Sequence, residues 1–577
     1  MRTRKMMILV VAAIAVAVLV IGTADAMPPH PSLLEQTEHV GDAQKSQILK
    51  GCPHPHLAGA PDGRGFGEPL RIDPLANPQV TGNILCILIE FSDKPAQASA
   101  EYFDSLLFGS ATGTVKNYYN EISYGGFDVV TVNYPSDIGW QTAPQTYAYY
   151  CAGDYGMGAY PQNSQKLFED VIDLVDPVVD FSNYDLNADG YVDAVMLVHT
   201  GSGAELTGSV NDIWSHAWGI TPRSRDGKWI SRYAIQPEYW YGAGDMTIGV
   251  FAHEMGHAYF GYPDLYDIDY TSNGIGRWSL MAGGSWNGSL GNSPAHPDAW
   301  SRIEAGFATA TNVVANLVNQ SIPNVEQNSS GAIFRMWTNG VGGNQYFLIE
   351  NRQRVGYDAA LPTGASGLLI WHIDESMATG NNTDNANEWY PGHTSSGHMR
   401  VALEQADGLW ELEKKLDNGD NGDPFPGSTA KTTFSNLTTP NSNDYSSTGT
   451  LVSITNISAS ASTMSADLAV SLIADADDYT YDNVLPANYS LDQNFPNPFN
   501  PSTRISFNLP KSGAVRLTIY NILGEKIEEL VDGYLPAGTH AFTWNPNSDG
   551  TPLASGVYMY ELVTEEASLS RKMLLLK

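Results

Sequence analysis

The stretch Phe251-Ala-His253-Glu254-Met-Gly-His257-Ala-Tyr-Phe260 contains the pattern His-Glu-x-x-His. Residues four apart share one face of a helix, so His253 and His257 can present their imidazoles to a single cation. Zinc accepts neutral imidazole and tolerates an open position, which hydrolysis needs for water. Glu254 is badly placed to be a third ligand. It is well placed to hold the metal's water and take its proton as a general base. Downstream, Gly261 can adopt the left-handed conformation that ends a helix, and Pro263 prevents a restart. The chain is therefore expected to turn back and bring Asp264 in as a third, oxygen ligand, with Asp267 and Glu304 as the other candidates. Trp278–Ala282, an apolar turn with Met281, suits a hydrophobic floor under such a site.

These residues must be carried by regular elements. Thr247–Phe260 reads as the metal helix. Asn83–Phe91 and Tyr191–His199 are apolar runs expected to be buried strands. Glu101–Ser123 alternates at helical spacing, as does Ser164–Val175, with Ser164 as N-cap and Pro177 as a stop. Asp185, Asn187, Asp189, Tyr191 and Asp193 place oxygens at alternate positions with Gly190 at the sixth, the spacing of a calcium loop. Asp417, Asp420 and Asp423 form a second acidic loop whose Asn-Gly and Asp-Pro steps are also ordinary turn formers. His216, between two tryptophans, reads as a core histidine. His372 and Asp374 fall at a strand end, where a structural pair is the expected role.

The 577 residues are too many for one core and suggest roughly three or four domains at about 150 residues each. A hydrophobic content of 42% excludes a largely disordered chain. The net charge of −33 would be repelled by phosphate backbones and anionic lipid, so neither nucleic acid nor a membrane surface is the expected partner. Three cysteines cannot form a disulfide scaffold. Cys86 reads as packing. Cys52 is a free thiol, a partner for Cys151, or a thiolate able to cap a zinc ion. Arg2, Arg4 and Lys5, an apolar run to Gly22 and Ala24-Asp25-Ala26 read as a secretion signal, and no later segment approaches a membrane span. The expected organisation is signal peptide 1–26, leader or pro-segment 27–80, catalytic domain 81–307, β-rich region 308–472, linker 473–487 and a terminal β unit 488–577.

The stretches His253–Asp267, Arg277–Trp286, Ala295–Phe307, Asn211–Trp218, Tyr346–Arg352 and Gly367–Asp374 resemble the immune inhibitor A-type secreted metalloproteases, a metzincin-like family. The resemblance runs from about Ile84 to Asn441. It implies a secreted zinc endopeptidase with an α/β metzincin-like catalytic domain; the short β-like runs after it read as β-rich modules, and the final unit reads as a small C-terminal β-sandwich. There is one departure. The family pattern places glycine three residues after the second histidine and the acidic residue six after. Here Phe260 takes the first place, Gly261 follows, and Asp264 comes seven after His257.

The final unit, with Asn494–Thr503, Ile519-Tyr-Asn521, Gly538-Thr-His540 and Ala554–Tyr558, resembles the C-terminal sorting domain of type IX secretion. That implies the secretion machinery as a partner and an extracellular or cell-surface destination. Two rivals remain: a catalytically silent surface or adhesion protein, which the presence of Glu254 argues against, and a zinc hydrolase acting on a non-peptide amide or ester.

Overall fold

The structure, a computed structural model, describes residues 25–33, 68–72, 79–268, 270–377, 388–391, 393, 397–471 and most of 488–576. Cys52, residues 1–24 and most of the expected leader and linker lie outside the described residues. The chain divides into two compact units, Met1–Ile473 and Ala474–Lys577.

The continuous apolar runs form the middle of a six-stranded sheet. Its strands are β1 (Asp25–Ala26), β2 (Leu85–Glu90), β3 (Gln141–Thr142), β4 (Val195–His199), β5 (His216–Arg225) and β6 (Lys228–Pro237), in the order β1-β5-β6-β4-β2-β3. Strands β6, β4, β2 and β3 run parallel, and β5 folds back antiparallel on β6. Asp226 and Gly227 join β5 to β6 with φ of 50° and 77°. A two-residue turn left-handed at both positions matches the twist of a hairpin. Because side chains alternate across a strand, Leu85, Ile87 and Ile89 face one core and Cys86 and Leu88 the other. Both faces are covered, so β2 and β4 read as unbroken apolar runs instead of alternating ones.

On the Cys86 side lie helices α1 (Ala100–Phe108), α2 (Val115–Ile122) and α4 (Ile248–Phe260); on the other lies α3 (Ser164–Val175). The helical run expected over Glu101–Ser123 is thus two helices. Gly109 ends the first, and the Thr114 side chain caps the second by accepting from Asn117 N. The cap of α3 is Asn163, which accepts from Lys166 N, and Ser164 is the first helical residue. The expected strand from Tyr191 is regular only from Val195, since Tyr191 makes a single bridge to Trp229.

The β-rich region belongs to the same compact unit as the catalytic sheet. Its five-stranded sheet runs Val401–Leu403, Gly367–Asp374, Gln345–Arg352, Ile333–Met336, Ala310–Asn312. One face, with Phe347, Ile349 and Ile370, packs on a three-stranded sheet through Ile322, Ile454 and Leu468. The other face sends Leu348, Leu369 and Trp371 into the core that holds α4. Period-two alternation therefore welds the region to the catalytic layer. In the second unit a three-stranded and a four-stranded antiparallel sheet share one core, with Ile505, Phe507 and Leu509 alternating inward from Thr503–Leu509.

Candidate metal centre

Helix α4 is buried along all of its 13 residues. Thr247 precedes it without capping it; its hydroxyl is held between Trp240 Nε1 and Leu290 O. Gly261 ends the helix at φ 67°, with Gly261 N donating to His257 O and Tyr262 N to Gly256 O. The residue that departs from the family spacing, Phe260, extends the helix and fills an aromatic nest of Tyr119, Phe127, Tyr262 and Phe307. The turn behind it absorbs the insertion, and Asp264 still reaches the histidines.

His253 Nε2 and His257 Nε2 lie 3.0 Å apart, and Asp264 Oδ1 is 3.2 Å from the first and 3.1 Å from the second. On its other side His253 Nδ1 is 2.9 Å from Leu280 O, and His257 Nδ1 is 2.6 Å from Tyr262 O. A carbonyl only accepts, so each Nδ1 carries the proton and, in the neutral ring, each Nε2 offers a lone pair. Burial lowers the His253 pKa below its ordinary value, which keeps that ring neutral. Two Nε2 atoms and a buried carboxylate oxygen thus converge, a donor set suited to a cation. Tetrahedral ligands about 2.0–2.2 Å from a common zinc lie roughly 3.3–3.6 Å apart, close to the spacing observed. The residues present fit zinc.

Glu254 is fully buried in the turn between the two imidazoles. Met281 lies close against the helix, its Sδ 2.8 Å from where a β-carbon on Gly256 would be. At the edge of the sheet, β1 pairs antiparallel with Ala217 and His216. The chain that follows is gripped through its carbonyls: Tyr266 Oη donates to Ala26 O, Trp214 Nε1 to Met27 O and Trp286 Nε1 to Pro28 O, at 2.6, 2.7 and 2.8 Å. The Tyr266 ring is 6.4 Å from that of His253. Asp25 and Ala26, assigned from sequence to the end of the signal peptide, are thus part of the sheet.

The other candidate ligands go elsewhere. Asp267 accepts from Ser272 N and the Thr271 hydroxyl within its own turn, and Glu304 pairs with Arg71 at the surface. In the Asp185–Asp193 loop, Asp185 binds Lys228 Nζ at 2.6 Å and accepts from Asp189 N and Gly190 N. Asn187 Oδ1 accepts from Asp189 N, Asp189 from Tyr191 N and Glu68 N, and Asp193 from Leu186 N. Asp185, Asp189 and Asp193 do not converge as a three-residue donor set among the described residues. In the second acidic loop Asp423 accepts from Trp278 Nε1 at 2.9 Å, tying the loop to the metal floor. His216 is a satisfied core histidine, placed between Trp214 O and Tyr233 Oη. Cys86 and Cys151 are buried free thiols, and burial pushes Cys151 up to about 12.

Sequence reasoning missed a buried polar frame beneath the floor. Arg352, fully buried, pairs with Glu350 and Asp358 and donates to Trp278 O, while Arg302 contacts His296 and Pro297 O. Asp298 accepts from Ser279 Oγ at 2.8 Å and caps the helix that carries Arg302. The available signal was charge placed inside apolar strands, as in Tyr346-Phe-Leu-Ile-Glu-Asn-Arg352.

A mixed α/β domain carrying His-Glu-x-x-His on a buried helix, with a returning aspartate, defines a metallopeptidase-type domain. Residues 76–308 match the family described as "Immune inhibitor A peptidase M6, catalytic domain", and residues 497–568 match the "FlgD Ig-like domain". The chain is 31% identical over 274 residues to Immune inhibitor A of Bacillus thuringiensis subsp. alesti, covering 37% of each chain. It is 27% identical over 280 residues to the Pre-pro-metalloprotease PrtV of Vibrio cholerae, covering 38% of this chain and 29% of that one. The matched stretch thus spans well under half the length of either relative. Among solved structures, dimeric latent PorU from Porphyromonas gingivalis overlaps 16% of this chain and 10% of its own at 18% identity, with a TM-score of 0.14, too low to bear on the fold. The chain carries an immune inhibitor A-type metalloprotease domain.

Proposed function

We propose that this protein is a secreted endopeptidase that hydrolyses peptide bonds in protein substrates, with zinc held by His253, His257 and Asp264. The observation that carries the reading is the convergence of two imidazole nitrogens and a carboxylate oxygen at 3.0–3.2 Å beside the buried Glu254. When bound, zinc supplies Lewis-acid polarisation of the scissile carbonyl and of water. Glu254 accepts the proton of the attacking water and passes it to the leaving amine. The Leu280 and Tyr262 carbonyls hold both imidazoles in the tautomer that leaves Nε2 available. Met281, Gly256 and the buried helix keep bulk solvent from the underside.

Residues 25–33 would act as a cover. Peptides add to exposed sheet edges through main-chain hydrogen bonds, and this segment lies on β5 in that manner. Its removal would open the edge to substrate, a reading in keeping with the word "pre-pro" in the name of the Vibrio relative. A metzincin-like layering, a C-terminal β-sandwich and its role in type IX export rest on the sequence resemblance and, for the last unit, on two sheets sharing one core. Among the described residues no helix is long and apolar enough to cross a membrane. Calcium at Asp185, Asn187, Asp189, Tyr191 and Asp193 rests on spacing, and its binding would require Lys228 to leave Asp185.

The test is hydrolysis of unfolded casein by the processed wild type, by Glu254→Gln and by chelator-treated protein. Cleavage by the wild type alone is expected. Equal cleavage by Glu254→Gln would sink the mechanism, and cleavage of ester substrates only would favour the non-peptide rival.

A further inference from the structure

The β-rich half of the first unit contains a small, solvent-open pocket at the Val401–Leu403 edge of the five-stranded sheet, with about 20 Å³ of room for water-sized groups. Trp389, Trp410, Tyr445 and His398 form its walls, and Glu404 and Glu413 contribute its carboxyls. Among the described residues no lysine or arginine lines it.

The aromatic wall is built with care for geometry. Tyr445 is clamped between His372 and His398, with ring centroids 4.0 and 3.8 Å away and planes within 7° and 14° of parallel. Trp389 meets it edge-on at 5.9 Å. The Tyr445 hydroxyl is buried and has no hydrogen-bond partner among the described residues, and the same holds for His372 Nε2. Trp410 stands at φ 54°, a left-handed conformation that a bulky residue holds only when its surroundings impose it. Glu413 accepts from Gln405 Nε2 at 2.6 Å, and Glu404 lies 3.3 Å from His372 Nδ1 with its side chain 12% exposed. Burial pushes both carboxyls up to about 8. The nearby cation, Lys414, donates to Leu409 O and lies over Tyr390 and Trp410, outside the lining.

We propose that this pocket binds a cationic head group, ammonium or guanidinium, carried on a basic side chain of the peptide substrate. Aromatic faces present negative potential to a cation, and the two carboxyls, which hold their protons up to about 8, add charge pairing as a bound cation favours their ionised form. A methylene stem can lie along the tryptophans while its charged end reaches the glutamates. Position favours a substrate as the source, a step that rests on the peptidase reading. Glu388, which precedes Trp389, bonds the Thr271 hydroxyl, which also lies 3.0 Å from Asp267 in the loop that returns Asp264. The pocket wall is therefore tied to the metal loop.

Two measurements test this on the full chain. Ligand-observed saturation-transfer NMR on the Glu254→Gln protein uses n-butylammonium, with n-butanol as its neutral isostere. Saturation is expected for butylammonium only, with at least a tenfold loss of affinity in a Glu404→Gln/Glu413→Gln background and in the pocket-filling Ala402→Leu. Equal saturation by butanol, or binding unchanged in both variants, would overturn the assignment. In the active protein, peptide pairs with lysine or norleucine at successive positions should reveal one position where lysine lowers KM at least fivefold. The double glutamine variant should erase that difference, with kcat on the norleucine peptide within twofold of wild type. Butylammonium binding without any lysine preference would overturn the substrate as its source. Binding with neither peptide cleaved would instead overturn the peptidase reading and leave the pocket's chemistry supported.

Discussion

Two stretches of this chain space their polar residues like metal ligands, and the fold treats them in opposite ways. In α4 the outer nitrogens of His253 and His257 are engaged by the Leu280 and Tyr262 carbonyls, so their inner nitrogens face Asp264. In the Asp185–Asp193 loop the oxygens meet donors: backbone amides of the loop itself, Glu68 N and the Lys228 ammonium. Spacing sets which groups can converge. What satisfies them from behind decides whether a cation is needed.

The comparison is broken most sharply at Glu254. Glutamine there is expected to cut casein hydrolysis by roughly 10²–10⁴-fold, the usual worth of a general base, with zinc content unchanged by elemental analysis. Next come paired aspartate removals. Asp264→Ala should weaken zinc retention by at least roughly tenfold in competition with a chelator, whereas Asp185→Ala should leave it unchanged. Equal losses would mean that the two stretches do not differ as described.

Phe260→Ala tests how the inserted residue is absorbed. Emptying its aromatic nest should cost about 3–5 kcal/mol in denaturant unfolding, and zinc should still bind to the folded fraction. A smaller effect is expected at Lys228→Met. Asp185 keeps its amide donors there, so the loss should be about 1–2 kcal/mol, and added calcium should recover more of it than in the wild type. A calcium response identical in both proteins would argue against any ion at Asp185.

The mildest effect concerns pH. Glu404 and Glu413 hold their protons up to about 8 in the folded chain, against an ordinary 4.5. The folded state therefore binds more protons than the unfolded one across that window, so these groups make stability fall as pH rises from 4.5 toward 8. Thermal melting of Glu404→Gln/Glu413→Gln should show a shallower decline over that range than the wild type.

The metal helix was legible because its information is local. Histidines four apart, a glycine to end the helix and a proline to prevent its restart act within a few residues, and Asp264 needed only the turn between. The strands β2 and β4 were legible for a similar reason, since burial on both faces leaves an unbroken apolar run. Helix ends were less so. The hydrogen bond that makes Asn163 and not Ser164 the cap of α3 depends on which side chain the preceding loop aims inward. The split between α1 and α2 turns on Gly109 and Thr114, inside a run whose periodicity alone reads as continuous.

By itself the sequence determined the chemistry on offer: two imidazoles, a glutamate between them, a returning carboxylate and a floor with methionine, in a strongly acidic chain. The tertiary structure decided what the remaining polar groups do. It assigned Asp267 and Glu304 to a turn and a surface pair, and gave Lys228 to Asp185. It set Arg352 under the metal floor, and gathered Trp389, Trp410, Tyr445, Glu404 and Glu413 into one pocket. The physical reason is reach. A helix or tight turn fixes neighbours within a few residues through backbone geometry, whereas a buried charge or an aromatic face takes its role from whichever distant segment the core packs against it.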